Sequence, residues 1–319
     1  EKRASRTLRE SDYLLGVFDG HRMGALRFKE NPEGPFLNDN KELASPPWSS
    51  VKDLERISLK LEDDETMDNP DYMNWLMMLV NPGSSLGGAR PKAGILDDEK
   101  NLWIAKFPSK GDNKDVGGWE MIVHDLAKSA GINIAESKIQ KYSGKYHTYL
   151  TRRFDRTSSG ERIHYASAMT MLGYNDGDSY LEGASYLEIA DFLTNRGANT
   201  DKDLEELWRR MVFNIVVSNT DDHLRNHGFI LTEKGWILSP AFDINPNEYG
   251  TGLSLNISLD DNSLSLDVPL EVIEFFRLDK KQGVKIIDQI RKSVSRWRII
   301  AAMYKIPRIE QEAMASVFT

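Results

Sequence analysis

The segment from 204 to 243 constrains the fold of this chain more than any other. Leu204, Leu207, Trp208, Met211, Val212, Ile215 and Val216 fall at i, i+3, i+4, i+7, i+8, i+11 and i+12, the spacing of one apolar face on an α-helix. Thr200 and Asp203 read as a capping box at its start, an acidic variant of the Ser/Thr-x-x-Glu pattern. The helix delivers the chain into Ser218-Asn219-Thr220-Asp221-Asp222-His223-Leu224-Arg225-Asn226. An apolar stretch from Gly228 to Leu231, a turn at Glu233-Lys234-Gly235, a second stretch from Trp236 to Leu238, and Ala241-Phe242-Asp243 follow. The order is helix, polar loop, β-hairpin, aspartate.

That order suits phosphoryl transfer. A protein-kinase site needs an Asp to accept the substrate hydroxyl proton, an Asn after four intervening residues for one magnesium, and a second Asp beyond a hairpin for magnesium on the phosphates. Asp221, Asn226 and Asp243 meet all three spacings, whereas Asp222 leaves only three residues before Asn226, so Asp221 is the expected catalytic base. An Asp-rich loop alone is more often a solvated turn. The three-part spacing is what gives this one weight. His223 and His227 stand at i and i+4, but Leu224 occupies the place where a zinc hydrolase needs its general-base Glu.

The upstream half fits the same plan. Gly83-Ser84-Ser85-Leu86-Gly87-Gly88-Ala89 reads as a flexible loop whose backbone N–H groups can approach phosphates. A strand from Ala93 to Leu96, a turn over 97–101 and a strand from Leu102 to Phe107 follow, with Lys106 near the end of the second strand. A helix from Trp119 to Ala130 stops at Gly131 and carries Glu120 in its first turn, where the carboxylate can pair with Lys106. Gly83 and Gly88 have P-loop spacing, yet Ala89-Arg90 stands where that motif requires Lys-Ser/Thr, which disfavours a P-loop ATPase. Lys106 alone would be an ordinary surface lysine, and Glu120 alone ordinary dipole compensation.

Elsewhere, residues 11–30 read as a hairpin around Phe18-Asp19-Gly20, residues 31–48 as a proline-broken loop, and two short helices are expected up to Val80. Residues 146–154 alternate as a strand and end in Arg152-Arg153-Phe154-Asp155-Arg156, where the lobe boundary is placed. The tail from Leu270 to Phe318 reads as helix broken at Gly283 and Pro307, with Trp208 and Trp297 as packing. The expected architecture is α/β and two-lobed, protein-kinase-like. Its strand-containing N-lobe spans 1–156 with a glycine-rich loop over 83–92, and its mostly helical C-lobe spans 157–319 with the loop 220–226 and Asp243. The chain opens at Glu1 on text that reads like mid-domain strands, so a missing N-terminal piece is expected.

Composition narrows the classes. With no cysteine, disulfides, thiol nucleophiles and thiolate metal sites are excluded. A net charge of -8 argues against wrapping nucleic acid. The longest apolar run, Trp75 to Val80, is far short of the roughly 20 residues of a membrane span, and no secretory leader opens the chain. A cytoplasmic protein without membrane contact is expected.

At its motifs the chain resembles the HipA family of bacterial serine/threonine kinases, toxins of toxin–antitoxin pairs. The resemblance rests on Ser85-x-x-Gly88-Ala89-x-x-Lys92, Arg153-Phe154-Asp155-Arg156, Thr220-Asp221-x-His223-x-x-Asn226 and Phe242-Asp243. Leu14-Leu15-Gly16-Val17 to Gly24-Ala25-Leu26-Arg27-Phe28 and the tail around Val294 to Trp297 are similar too. The resemblance implies ATP and magnesium as cofactors. It places Gly87, Gly88, Ala89, Arg90, Pro91, Lys92 and Lys106 on the phosphates, and Arg152, Arg153 and Phe154 at the adenine through their backbone. His223, Leu224, Arg225, Asn226 and Phe242 would lie beside the nucleotide, with Asn226 and Asp243 on magnesium. It implies silencing by autophosphorylation at Ser85, with Ser84 as second choice, because added phosphate charge near ATP would expel the loop. Growth arrest through a target such as an aminoacyl-tRNA synthetase, and a helix-turn-helix antitoxin that makes the main DNA contact, are implied as well. Two departures are Arg152, where an acidic residue is known, and Asp222, an added carboxylate expected to alter metal affinity. The rival readings are a catalytically idle nucleotide- or antitoxin-binding scaffold and a small-molecule kinase.

Overall fold

The structure is a computed structural model and describes residues 9–40, 44–63, 69–72, 75–76, 78–79 and 90–318. Its first lobe is built on a four-stranded antiparallel sheet of β1 (Lys92–Leu96), β2 (Leu102–Lys106), β3 (Ser137–Gln140) and β4 (Thr148–Arg152), in the order β1-β2-β4-β3. Alternation along β2 divides its side chains between two faces. Trp103 and Ala105 join Ala93, Ile95, Phe107 and Leu150 in a small core capped by Val51 and Leu54 of the helix Val51–Leu61. Lys106 points to the other face, directly opposite Lys92 on β1 and Tyr149 on β4.

That other face receives the helix Val116–Ser129. Asp115 caps it by accepting from the Gly118 amide at 3.0 Å and also from the His147 amide at 2.9 Å. Gly117 is required here, because a Cβ would come within 2.4 Å of the His147 carbonyl oxygen. Trp119, Ile122, Val123 and Leu126 of this helix belong to the large core of the second lobe, so the helix carries the sheet against the helical half.

The second lobe packs the helices Tyr186–Arg196, Thr200–Val216 and Lys280–Val294 around Trp208, Met211, Phe213 and Ile290. It also holds a three-stranded sheet of Tyr165–Ser167, Gly228–Thr232 and Gly235–Leu238, whose last two strands form the expected hairpin. The molecule therefore has the two-lobed α/β architecture that the sequence implied. Among the described residues no helix is long and apolar enough to cross a membrane.

Three local expectations are corrected. Residues Glu10–Gly16 form a helix rather than the first strand of a hairpin, and Asp19–His21 a short 3-10 turn. Arg22 explains this: its guanidinium takes the carbonyls of Leu14, Val17 and Leu37, partners too distant in sequence for a local pattern to reveal. The one strand-like pairing here joins Phe28 to Leu37. The Thr200–Asp203 capping box is absent, since the N-cap is Asn199 and Asp203 accepts from the Leu238 amide at 3.0 Å, holding the hairpin instead. Gly283 does not break its helix. A Cβ there would meet Ile273 at 2.3 Å and Trp208 at 3.2 Å, so glycine serves close packing. Of the helix expected to run up to Val80, Tyr72, Trp75, Leu76, Met78 and Leu79 are described and helical, whereas the loop Gly83 to Ala89, with Ser84, Ser85, Gly87 and Gly88, lies outside the described residues.

Candidate active site

Lys106 is the centre of the upstream half. Its Nζ lies 2.6 Å from Glu120 Oε1 and 2.7 Å from Asp243 Oδ1. Burial opposes the charge on Lys106, but Asp243 and Glu120 overcome it and hold the ammonium well above the usual lysine range. Burial works on Glu120 in the opposite sense and raises it against the pull of Lys106. Asp243 is drawn down to about 2, with Lys106 outweighing the desolvation that would raise it. A carboxylate held ionised in an enclosed site is a suitable oxygen donor for a hard cation.

Lys92 adds a second cation to this wall. Opposite side chains of an antiparallel pair share a face, and like charges so placed repel. Burial and Lys106 together lower Lys92. A polyanion between the two strands and the helical lobe would relieve that repulsion. Arg90 pairs with Asp112, and the Pro91 carbonyl accepts from the Phe107 amide at 2.9 Å, fixing the end of the loop that leads into β1.

The downstream half begins where the helix Thr200–Val216 stops. Ser218 takes a left-handed φ of 49°, and Asn219 donates back to the Asn214 carbonyl at 2.8 Å. Asn226 Nδ2 then donates to the Asp221 carbonyl at 2.8 Å, so the two ends of the loop are tied through one main-chain oxygen. The Asp221 side chain itself is 76% exposed, with His223 Nε2 at 3.8 Å. Leu224 is buried, and Arg225 reaches Asp176 at 2.7 Å. Asn226 and Asp243 line one small cleft together with His227 and Phe242. Asp221, Asn226 and Asp243 are thus brought to one region, with the first at its rim.

Asp222 departs from the sequence expectation. Its carboxylate turns inward, accepting from Tyr186 Oη and from the Ser254 amide at 2.8 Å. Burial pushes it up to about 7. It is a strut under the loop, and Ser254 adds a second by donating to the Thr220 carbonyl at 2.7 Å. From Tyr186 the hydrogen bonds continue: Asn214 Nδ2 donates to Tyr186 Oη at 2.9 Å, and Asn219 Nδ2 to Asn214 Oδ1 at 3.0 Å. The Asn245 amide then donates to Asn219 Oδ1 at 3.2 Å, and Asn245 Nδ2 to Asp243 Oδ1 at 2.8 Å. One polar chain connects the loop to the second aspartate. Sequence reasoning missed Tyr186, Asn214, Asn219 and Asn245; the spacing Asp243-x-Asn245 was the one available signal.

The segment that joins the lobes is held by its side chains. Arg153 donates to Asp155 and to the carbonyls of His21 and Arg22, so its guanidinium is a staple. The amides of Arg152 and Arg153 go to the carbonyls of Glu136 and Leu102. The Phe154 ring packs 5.6 Å from Phe242 and 5.5 Å from Tyr165. Among the described residues no three His, Asp or Glu side chains form a ready metal cage. Two protein oxygens completed by phosphate and water are what magnesium, which dehydrates reluctantly, accepts.

Comparison with known proteins adds four findings. The family model for the HipA-like C-terminal domain matches residues 84–297. Among solved structures, the fold is similar to HipA of Shewanella oneidensis MR-1, solved in complex with HipB and operator DNA, with TM-score 0.69 and 20% identity over 96% of this chain and 75% of that one. It is also similar to the Helicobacter pylori proinflammatory kinase CtkA, with TM-score 0.52 and 14% identity over 73% of this chain and 88% of that one. A curated relative, the candidate kinase Y4mE of Sinorhizobium fredii, is 25% identical over 147 residues, and the aligned part is 44% of this chain and 33% of that relative.

Proposed function

From the premise that this chain belongs to the HipA-like family, we propose that it is an ATP-dependent serine/threonine protein kinase of the toxin type. The observation that carries the reading is the pairing of Lys106 with both Glu120 and Asp243, across the lobes, beside a loop that presents Asp221. Lys106 and Lys92 would hold the α- and β-phosphates, and Phe154 and Phe242 would border the base. Asp243 and Asn226 would hold magnesium, which neutralises charge on the phosphates when bound. Asp221 orients a seryl or threonyl hydroxyl and takes its proton as the oxygen attacks the γ-phosphorus. The new O–P bond forms as the bond to the β,γ-bridging oxygen breaks, and ADP leaves. Positioning and charge supply most of the acceleration.

In biological terms the kinase would arrest growth by modifying a cellular protein, with an aminoacyl-tRNA synthetase as one candidate. A helix-turn-helix antitoxin would bind it and carry the DNA contact, as the HipB and operator DNA of the Shewanella structure suggest. Autophosphorylation at Ser85, or at Ser84 beside it, would silence the enzyme. A phosphoproteome compared with and without expression tests the reading. A small set of new phosphoserine or phosphothreonine sites is expected; an unchanged phosphoproteome alongside a phosphorylated small molecule would replace it with the small-molecule kinase.

A further inference from the structure

A cavity of about 280 Å³ lies between the 18–21 and 44–45 segments, the β1–β2 turn and residues 152–162. Lys106, Asp221, Asn226 and Asp243 take no part in it. Among the described residues, five lining side chains are cationic, Lys100, Arg152, Arg153, Arg156 and Arg162, and none is acidic. In a chain whose net charge is -8, such a lining runs against the average surface.

The nearby carboxylates are shared or engaged elsewhere: Asp97 and Glu99 of the bounding turn accept from Asn101, and Glu161 accepts from Ser159. Asp155 serves both Arg153 and Arg156, Asp19 serves both Arg27 and Arg162, and Glu136 alone faces Arg152. Lys100, exposed and in a left-handed turn at φ 65°, has no ion pair among the described residues. The remaining guanidinium N–H groups lean on main-chain carbonyls of Gly20, Arg22 and Gly24, which fix the forks without cancelling their charge. Burial lowers Arg156 to about 10, with Arg153 and Arg162 adding to the effect against Asp155, and burial lowers Arg162 as well. Phe18, Leu96 and Leu102 supply an apolar side.

We propose that this cavity is a binding site for a small phosphate-bearing molecule, distinct from the nucleotide cleft. The exposed Lys100 ammonium and the partly exposed Arg152 fork can reach phosphate oxygens through charge-assisted hydrogen bonds, the buried Arg153 and Arg156 add positive charge behind them, and the apolar side accepts a compact organic body. The size suits a pyrophosphate or a nucleoside monophosphate, being close to the lower end of ligand pockets, roughly 300 Å³. The site stands independently of the catalytic reading.

Calorimetric titration with two probes, inorganic pyrophosphate and AMP, in buffer containing a metal chelator tests it. The wild-type chain is expected to bind at least one probe. Lys100→Glu, an exposed charge reversal whose melting temperature should match wild type, is expected to weaken that binding by about tenfold or more. Asp243→Asn, which alters the catalytic cleft, is expected to leave it unchanged. Binding that Lys100→Glu weakens and Asp243→Asn keeps supports the site, with pyrophosphate alone identifying an inorganic anion and AMP a nucleotide whose base rests on the apolar side. Absence of binding by the wild type, or binding lost in Asp243→Asn and kept in Lys100→Glu, overturns it.

Discussion

The two halves of the candidate site are held by opposite means. Around Lys106, charge is locked to charge: buried Lys106 and Glu120 and half-buried Asp243 fix one another before any ligand arrives. Around Asp221, the side chain stays open to solvent, and the loop is held from beneath by Asp222, Tyr186 and Ser254. The contrast fits the division of labour in phosphoryl transfer. Under the proposed reading, a half facing phosphates would need its charges in place, while a half facing a protein hydroxyl would need to stay reachable.

Breaking the locked half should have the largest effect on the fold. Lys106→Met leaves Glu120 buried without its cation, and unpairing a buried ion pair costs about 3–5 kcal/mol. Urea unfolding reads this directly, and a loss below about 1 kcal/mol would mean that the pair is not locked. The open half should respond to pH instead. Asp222 has its value raised from 3.8 to about 7, so between those limits the folded state keeps a proton that the unfolded state has lost. Its contribution to stability falls as pH rises through that window, by up to about 1.4 kcal/mol per unit. His227, lowered from 6.5 to about 3 by burial, pulls the other way, adding stability as pH rises from 3 to 6.5. The two nearly cancel in the wild type over pH 4 to 6.5, and Asp222→Asn should expose the His227 rise. Parallel stability profiles for the two proteins would contradict the buried, protonated Asp222. The smallest effect is expected at the join between the halves. Asn245→Ala removes one hydrogen bond to Asp243 and should cost about 1 kcal/mol in the same unfolding measurement.

The comparison also explains what the sequence could reveal. Lys106 sits in a strand and Glu120 in a helix, and Asp221, Asn226 and Asp243 stand at fixed separations on either side of the 228–238 hairpin, so strand, helix and hairpin lengths carry their geometry. Asp222 and Tyr186 meet across 36 positions, and no local pattern records such a contact. The same reason hid the role of Asp203, whose spacing from Thr200 mimicked a cap while its carboxylate was committed to Leu238. The helix at Glu10–Gly16 was illegible because Arg22, Leu37 and the 153–162 segment settle that region through long-range polar contacts.

Asp221, Asn226 and Asp243 are proposed to form one magnesium-dependent phosphoryl-transfer site, with Asp221 as base. The most direct test is transfer of labelled γ-phosphate from ATP to protein, compared for the wild type and Asp221→Asn. Transfer that requires magnesium and drops by about 10²- to 10⁴-fold in the variant is the predicted result. An Asp221→Asn protein that transfers phosphate as fast as the wild type would contradict it.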